Sequence, residues 1–364
     1  MHPRSQIAAR PLLVFSAWVL LTLPALAGGP AKFMMTATVG GKQVEGQPLS
    51  WSSSEMLLYG RDGALHEFNT RSAEGAKKSA PRFRAYSSSE LRDRLQEEFG
   101  RGWAVTVSRH FVVVHPRGRW VEWAQRLEKL YQSFHSYMRV RGIRVERPRV
   151  PLIAVVFRNK GDYHRYSAKS GTPLHPNTLG HYDSESNRIF LFDASGKADA
   201  SWSVNAETII HEATHQTAYN VGVHRRFAEQ PRWLVEGLAM MFEVRGVWNA
   251  RSSDTQADRI NDYRLRDFRA AKDRMGGKGL AGLVASDNLF RSDPLGAYAN
   301  AWALSFYLTE TRPREYDRYL QKVAAREPFT RYPGRKRVSD FVSVFGSDFE
   351  LLAAQMERFF EELQ

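Results

Sequence analysis

The chain has 364 residues, a formal net charge of +13, 43% hydrophobic and 25% charged residues, and no cysteine. The length allows one large domain or two smaller ones, and the composition is ordinary globular usage, which excludes global disorder. Without cysteine there is no disulfide framework, thiolate metal site, iron–sulfur cluster or cysteine nucleophile, so any metal must be held by His, Asp and Glu.

The chain opens on Arg4 and Arg10 with no acidic residue, continues through an apolar stretch from Pro11 to Leu23, and reaches Ala25-Leu26-Ala27, a small-x-small cleavage signature. Residues 1–27 therefore read as a secretory signal peptide, and the protein is expected to be exported, to a bacterial periplasm or outside the cell. No later stretch approaches the ~20 apolar residues of a membrane span. Loss of Arg4 and Arg10 takes the charge from +13 to +11. That surplus suits solubility or attraction to an anionic cell envelope; its local concentration at Arg331, Arg335, Lys336 and Arg337 carries no nucleic-acid motif, and no nucleic-acid partner is expected.

Residues 28–70 read as a small β unit. Met34 to Val39 runs into Gly40-Gly41, and Met56 to Tyr59 and Leu65 to Phe68 flank Arg61-Asp62-Gly63 as a hairpin. The polar stretch 71–82 reads as a linker, and 83–364 as the main domain. Within it Ser89 is expected to cap a helix to about Glu98, and Trp103 to Val107 and Phe111 to Val114 to be strands. Trp120, Trp123, Ala124, Leu127, Tyr131, Phe134 and Met138 recur at helical spacing, which predicts an amphipathic helix over 118–141. Leu152 to Phe157 and Asn187 to Phe192 read as strands, the latter as an edge able to pair with an extended peptide. After Ala206 the pattern is almost all helical. The expected fold is α+β: a sheet-containing lobe over 83–200, a largely helical lobe over 201–364, and a cleft between them.

The chemistry concentrates at His211-Glu212-Ala213-Thr214-His215. Two histidines at i and i+4 project from one helix face, within reach of one ion at the ~2.0–2.1 Å of a Zn–N bond. Glu212 does not share their direction but can reach a water beside the ion as general base. A bare His-Glu-x-x-His string needs context; here the run has no Gly or Pro, follows polar Ser201–Asn205, and carries Ile209 and Ile210 for packing.

A third ligand is expected from a second helix over Gln230–Glu243, with Pro231 near its first turn. Glu236 lies between Leu234, Leu238 and Met241, and a carboxylate among apolar residues needs a partner that zinc supplies. Gly237 would let the two helices approach. Glu243, one heptad on and ~10.5 Å along the axis, cannot share the ion but can orient a ligand imidazole. An extended motif would require Gly at 218 and His at 221, where the sequence has Ala218 and Val221; His224 therefore reads as a loop histidine beside Arg225 and Arg226.

His211-Glu212-x-x-His215, followed by Trp233-Leu234-x-Glu236-Gly237-x-Ala239 and Glu243, resembles the gluzincin metallopeptidases, especially the ligand helix of the large zinc aminopeptidases. From about Tyr59 through Trp248 the chain also resembles domain-of-unknown-function family 1570, exported bacterial proteins with a gluzincin-like core. That likeness is clearest in Pro81-Arg82-Phe83-Arg84, in Val112-Val113-Val114-His115-Pro116 and around the zinc motif. The resemblance implies a zincin-like core, Zn2+ held by His211, His215 and Glu236, and Glu212 as base. It further implies that Tyr298, ahead of Ala301-Trp302-Ala303-Leu304, stabilises an oxyanion. The Gly-x-Met-Glu-Asn motif by which aminopeptidases capture a free amine is missing from Gly180 to Phe192, so aminopeptidase specificity is not implied. The expected activity is zinc-dependent hydrolysis of a peptide or protein substrate. The alternatives are a non-catalytic envelope-binding protein with a structural zinc, and hydrolysis of a non-peptide amide by the same residues.

Overall fold

The computed structural model describes residues 30–118, 122–171, 173–193, 201–249 and 255–363, excepting the side chains of 201–205 and 272–275. The signal peptide read over 1–27, and Trp120, lie outside the described residues. Among them no helix is long and apolar enough to cross a membrane. The chain forms two compact units. The first takes residues up to Thr106, Val113–Trp120 and Ile153–Asn205; the second takes Val107–Val112, Val121–Leu152 and Ala206–Gln364.

The first unit holds two five-stranded sheets. One is built from β1 (Met34–Val39), β2 (Lys42–Trp51), β3 (Met56–Gly60), β4 (Leu65–Phe68) and β5 (Ala73–Ala80), in the order β4-β3-β2-β1-β5. Its first hairpin closes with Val39 opposite Lys42, leaving Gly40 and Gly41 as a two-residue loop at φ 56° and 76°. Positive φ at both positions is what such a turn requires of a right-twisted ribbon, and glycine meets it without strain. The expected strands at 34–39, 56–59 and 65–68 are all present. The 71–82 linker is not: most of it is β5, antiparallel to β1. Its side chains are exposed along nearly the whole length, so it has no apolar period to read. It is an edge strand held by main-chain bonds, and Lys77 and Lys78 suit an edge that must not pair further.

The second sheet, β6 (Trp103–Val107), β7 (Phe111–Pro116), β8 (Leu152–Phe157), β9 (Gly180–Asp183) and β10 (Arg188–Phe192), has the order β6-β7-β8-β10-β9. Every residue of β7 and β8 is buried, as continuous apolar runs demand when both faces are covered. β10 runs parallel to β8 and antiparallel to β9. It is therefore an interior strand with its backbone already paired, and the peptide-accepting edge expected there is corrected: β9 is the edge. α1 (Ser88–Phe99) is capped by Ser87, not Ser89, in a reciprocal capping box with Glu90. α3 is Lys160–Lys169. Phe99, Trp103, Phe157, Tyr166 and Phe190 pack ring on ring between helices and sheet.

The second unit is helical: α2 (Glu122–Val140), α4 (Ser201–Asn220), α5 (Arg232–Phe242), α6 (Arg245–Trp248), α7 (Asp262–Ala285), α8 (Leu289–Ser292), α9 (Pro294–Thr311), α10 (Pro313–Ala324), α11 (Gly334–Phe345) and α12 (Phe349–Glu362). α2 buries Trp123, Ala124, Leu127, Tyr131, Phe134 and Met138, as their periodicity predicts. α4 starts at Ser201, earlier than expected, since Ser201–Asn205 contains no Gly or Pro to stop it. α9 is buried from Gly296 to Thr309 and forms the centre of the unit. A Cβ on Gly237 of α5 would lie 2.3 Å from the Ala301 carbonyl oxygen and 2.2 Å from Ser305 Oγ, both on α9. The close approach that Gly237 permits is thus with α9, not α4. The basic concentration near 331–337 is not a free patch: Arg337 is buried and pairs with Asp287 at 2.8 Å and Glu229 at 2.7 Å, and Lys336 pairs with Asp340 at 2.6 Å.

Candidate metal centre

All the residues read as metal-related lie in the helical unit. Helical spacing brings His211 and His215 of α4 together, with their Nε2 atoms 2.9 Å apart. Glu236 of α5 faces both, its Oε2 3.5 Å from His211 Nε2 and 4.0 Å from His215 Nε2. Among the described residues this is the set of His, Asp and Glu whose atoms could hold an ion, all within 4.8 Å of one another. Donors around a tetrahedral centre with bonds of ~2.0–2.1 Å stand roughly 3.4 Å apart, which is the scale of these separations. His211 and Glu236 are fully buried, and His215 and Glu212 nearly so.

The cluster fits a cation on a second ground. Neither oxygen of Glu236 has a hydrogen-bond partner. A buried carboxylate without hydrogen bonds costs several kcal/mol unless a positive charge meets it, and the guanidinium facing it, Arg232, stands 3.9 Å from Oε1, beyond hydrogen-bond reach. A donor set of two imidazoles and one carboxylate suits Zn2+. The electrostatics agree: burial opposes charge on His211, but Glu236 and Glu243 more than offset it and push its pKa up to about 10. The same carboxylates that would hold a proton there would hold a metal ion. His215 is driven the other way, by burial first and then by His211, His224 and Arg232, and is kept as the neutral imidazole that ligates metals.

The orienting role read for Glu243 is matched by geometry. Its Oε1 lies 2.9 Å from His211 Nδ1, fixing the ring with Nε2 turned to the other donors. Asn261, at the start of α7, donates from Nδ2 to Glu243 Oε2 at 3.2 Å while its Oδ1 caps that helix. Sequence reading missed Asn261: a lone Asn at a helix start signals only a cap.

Arg232 was missed as well. It opens α5 one turn before Glu236, and its Nε lies 3.9 Å from Glu236 Oε1. Its Nη2 donates to the Tyr298 hydroxyl oxygen at 2.7 Å. Asp287 accepts from the Arg232 backbone N–H at 3.0 Å, serving as a cap at the start of α5 that Pro231 cannot provide, and Arg337 holds Asp287 in place. Tyr298, on α9, is thus brought to the third donor through Arg232. Burial and the Glu236 charge push its hydroxyl pKa up, against Arg232 and Arg264, so it stays a protonated donor at neutral pH. His224 is in a loop as expected but is buried, and burial pushes its pKa down to about 3 despite Val223 and Gln230; it is no part of the donor set.

Residues 205–330 match a family described as "Protein of unknown function (DUF1570)", a span that holds His211, Glu212, His215, Glu236, Glu243 and Tyr298. No curated protein matches the chain. Solved structures similar to it include the M1 zinc metallopeptidase of Deinococcus radiodurans, at 14% identity over 69% of this chain and 47% of that one, with a TM-score of 0.34. A mutant of that enzyme bound to a Tyr-Ser-Ala substrate is similar at 14% identity over 68% and 47%, with a TM-score of 0.36. The chain spans about half the length of these structures.

Proposed function

We propose that the protein is a zinc-dependent peptidase of the gluzincin type, exported to a periplasm or outside the cell and acting on a peptide or protein. The observation that carries the reading is the buried His211–His215–Glu236 set, in which both Glu236 oxygens lack a hydrogen bond while another carboxylate, Glu212, adjoins the first donor. Bound there, Zn2+ supplies a Lewis acid for the scissile carbonyl and lowers the pKa of a water. Glu212 takes the proton of the attacking water on its carboxylate and returns it to the leaving amine nitrogen. Glu243 keeps His211 in one tautomer. Tyr298 already accepts from Arg232, so its own proton is left to donate to the oxygen on which charge develops.

A purely structural zinc is the second reading. Structural sites are usually closed by four protein ligands, whereas three donors converge among the described residues, which favours an open position. The surplus of positive charge supports association with an anionic envelope and does not imply nucleic-acid binding.

The test is a peptide-library digest read by mass spectrometry, comparing zinc-loaded protein with Glu212→Gln. Cleavage by the wild type that disappears in the variant supports the peptidase, and the fragment ends separate trimming from internal cutting. Equal turnover by both on every peptide cleaved would overturn the mechanism. Stoichiometric zinc without any cleavage would favour the structural reading.

A further inference from the structure

We propose that the helical unit carries a second ligand site, a cavity of about 680 Å3 beside the C-terminal ends of α2 and α9 that takes a small phosphate monoester. The volume lies within the range of small-molecule pockets. Its ionised lining is Arg141, Arg259, Arg314 and one carboxylate, Glu310, a surplus of two positive charges. Glu310 is already saturated. Its Oε1 accepts from the Arg141 guanidinium and from the Tyr137 hydroxyl, and its Oε2 accepts from Arg259 Nη2 at 2.9 Å and Gln256 Nε2 at 3.2 Å. Its charge is therefore spent within the wall, where it stiffens Arg141 and Arg259.

Arg314 is different. It is exposed on the first turn of α10, among the described residues no hydrogen bond or ion pair ties it down, and that helix start has no side-chain cap, so its first N–H groups add to the positive end. The carbonyl ends of α2 and α9 on the same cavity are partly closed by their own chain: Ile143 N–H reaches Met138 O, and Arg312 N–H reaches Leu308 O. Arg141 and Arg259 already donate to Glu310, and also to the Tyr137 and Thr255 carbonyls, so they lend charge and their remaining N–H groups, while the Arg314 guanidinium can fork the oxygens of a phosphate; a surplus of two charges matches its dianion. An apolar body has its own surface, since Val140, 76% exposed, is part of the lining. Glu310 and Tyr298 are twelve residues apart on α9, about 18 Å along the helix at ~1.5 Å per residue, so this cavity is separate from the metal centre.

The experiment is calorimetric titration of the zinc-loaded protein at fixed ionic strength with phenyl phosphate, and in parallel with inorganic phosphate. Saturable binding of both, tighter for the phenyl ester and weakened about tenfold or more by Arg314→Ala, is expected. Tighter binding of inorganic phosphate would assign the free ion instead of an ester and overturn the monoester. Absence of saturable binding to the wild type, or equal affinity in Arg314→Ala, would overturn the site; phosphate bound only at the metal would give the latter. Should Arg314→Ala fail to fold, Val140→Asp at the rim serves instead, with loss of binding expected and unchanged affinity overturning the site.

Discussion

His211 shows how a single side chain acquires a role from its surroundings. One ring nitrogen is held by Glu243, itself held by Asn261, and the other is left to face His215 and Glu236. Partners of this kind set ligand orientation and basicity, so Glu243→Ala is expected to lower zinc affinity by about 10–100-fold in a competition titration against a chromophoric chelator. Unchanged affinity would remove Glu243 from the centre. In the proposed reaction Tyr298→Phe removes a hydroxyl donor to the developing charge, and it keeps the ring packed against Phe290. On any peptide cleaved, kcat should fall roughly 10²-fold with KM nearly constant; a loss confined to KM would make Tyr298 a binding residue.

Among the elements, the pairing of α5 with α9 does most to place the centre, because it fixes Glu236 against the histidines of α4. Gly237→Ala tests it. Besides Ser305 Oγ, its Cβ would strike the main-chain carbonyl of Ala301, which cannot swing away. Overpacking of this kind costs about 1–3 kcal/mol. The melting temperature should fall, and zinc affinity with it, since Glu236 is the preceding residue. A variant with wild-type stability would mean that α5 can slide on α9 without loss. The same element carries a lesson about legibility. Its apolar run and buried Glu236 are visible in the sequence, but the choice of α9 over α4 as the helix met by Gly237 is not, since both present small and apolar residues and only packing selects between them.

For the molecule as a whole, the two compact units do not follow the sequence boundaries at 82 and 200. The sheet of β6 to β10 draws on segments before and after α2, so each unit is assembled from separated stretches. His181, at the edge of that sheet, is pushed by burial to a pKa of about 4, with Asp183 opposing. Its ring bonds to the Tyr163 hydroxyl at 2.8 Å and stacks on Phe190. A histidine depressed below its unfolded value of ~6.5 takes up more protons when unfolded, so its contribution of about 3 kcal/mol is present above pH ~6.5 and is lost as pH falls towards about 4. Thermal melts followed by circular dichroism should therefore show stability falling between pH 6.5 and 4. His181→Asn, whose Oδ1 can stand in for Nδ1 towards Tyr163, should flatten part of that fall. An identical profile in the variant would place the acid sensitivity elsewhere.

The histidine pair, its neighbouring carboxylate and the third donor were legible because each rests on local order: i, i+4 spacing on one helix, and one carboxylate in an otherwise apolar run. The strands with an apolar period were legible for the same reason. β5 was not, since an exposed edge strand has no period and exists only through pairing with β1. Arg232 and Asn261 were not, since their parts depend on Tyr298 and Glu243, 66 and 18 residues away. Local chemistry thus determined which residues bear the metal-binding pattern. Tertiary packing alone decided what surrounds them, because burial, charge and hydrogen-bond partners at a site are properties of neighbours in space.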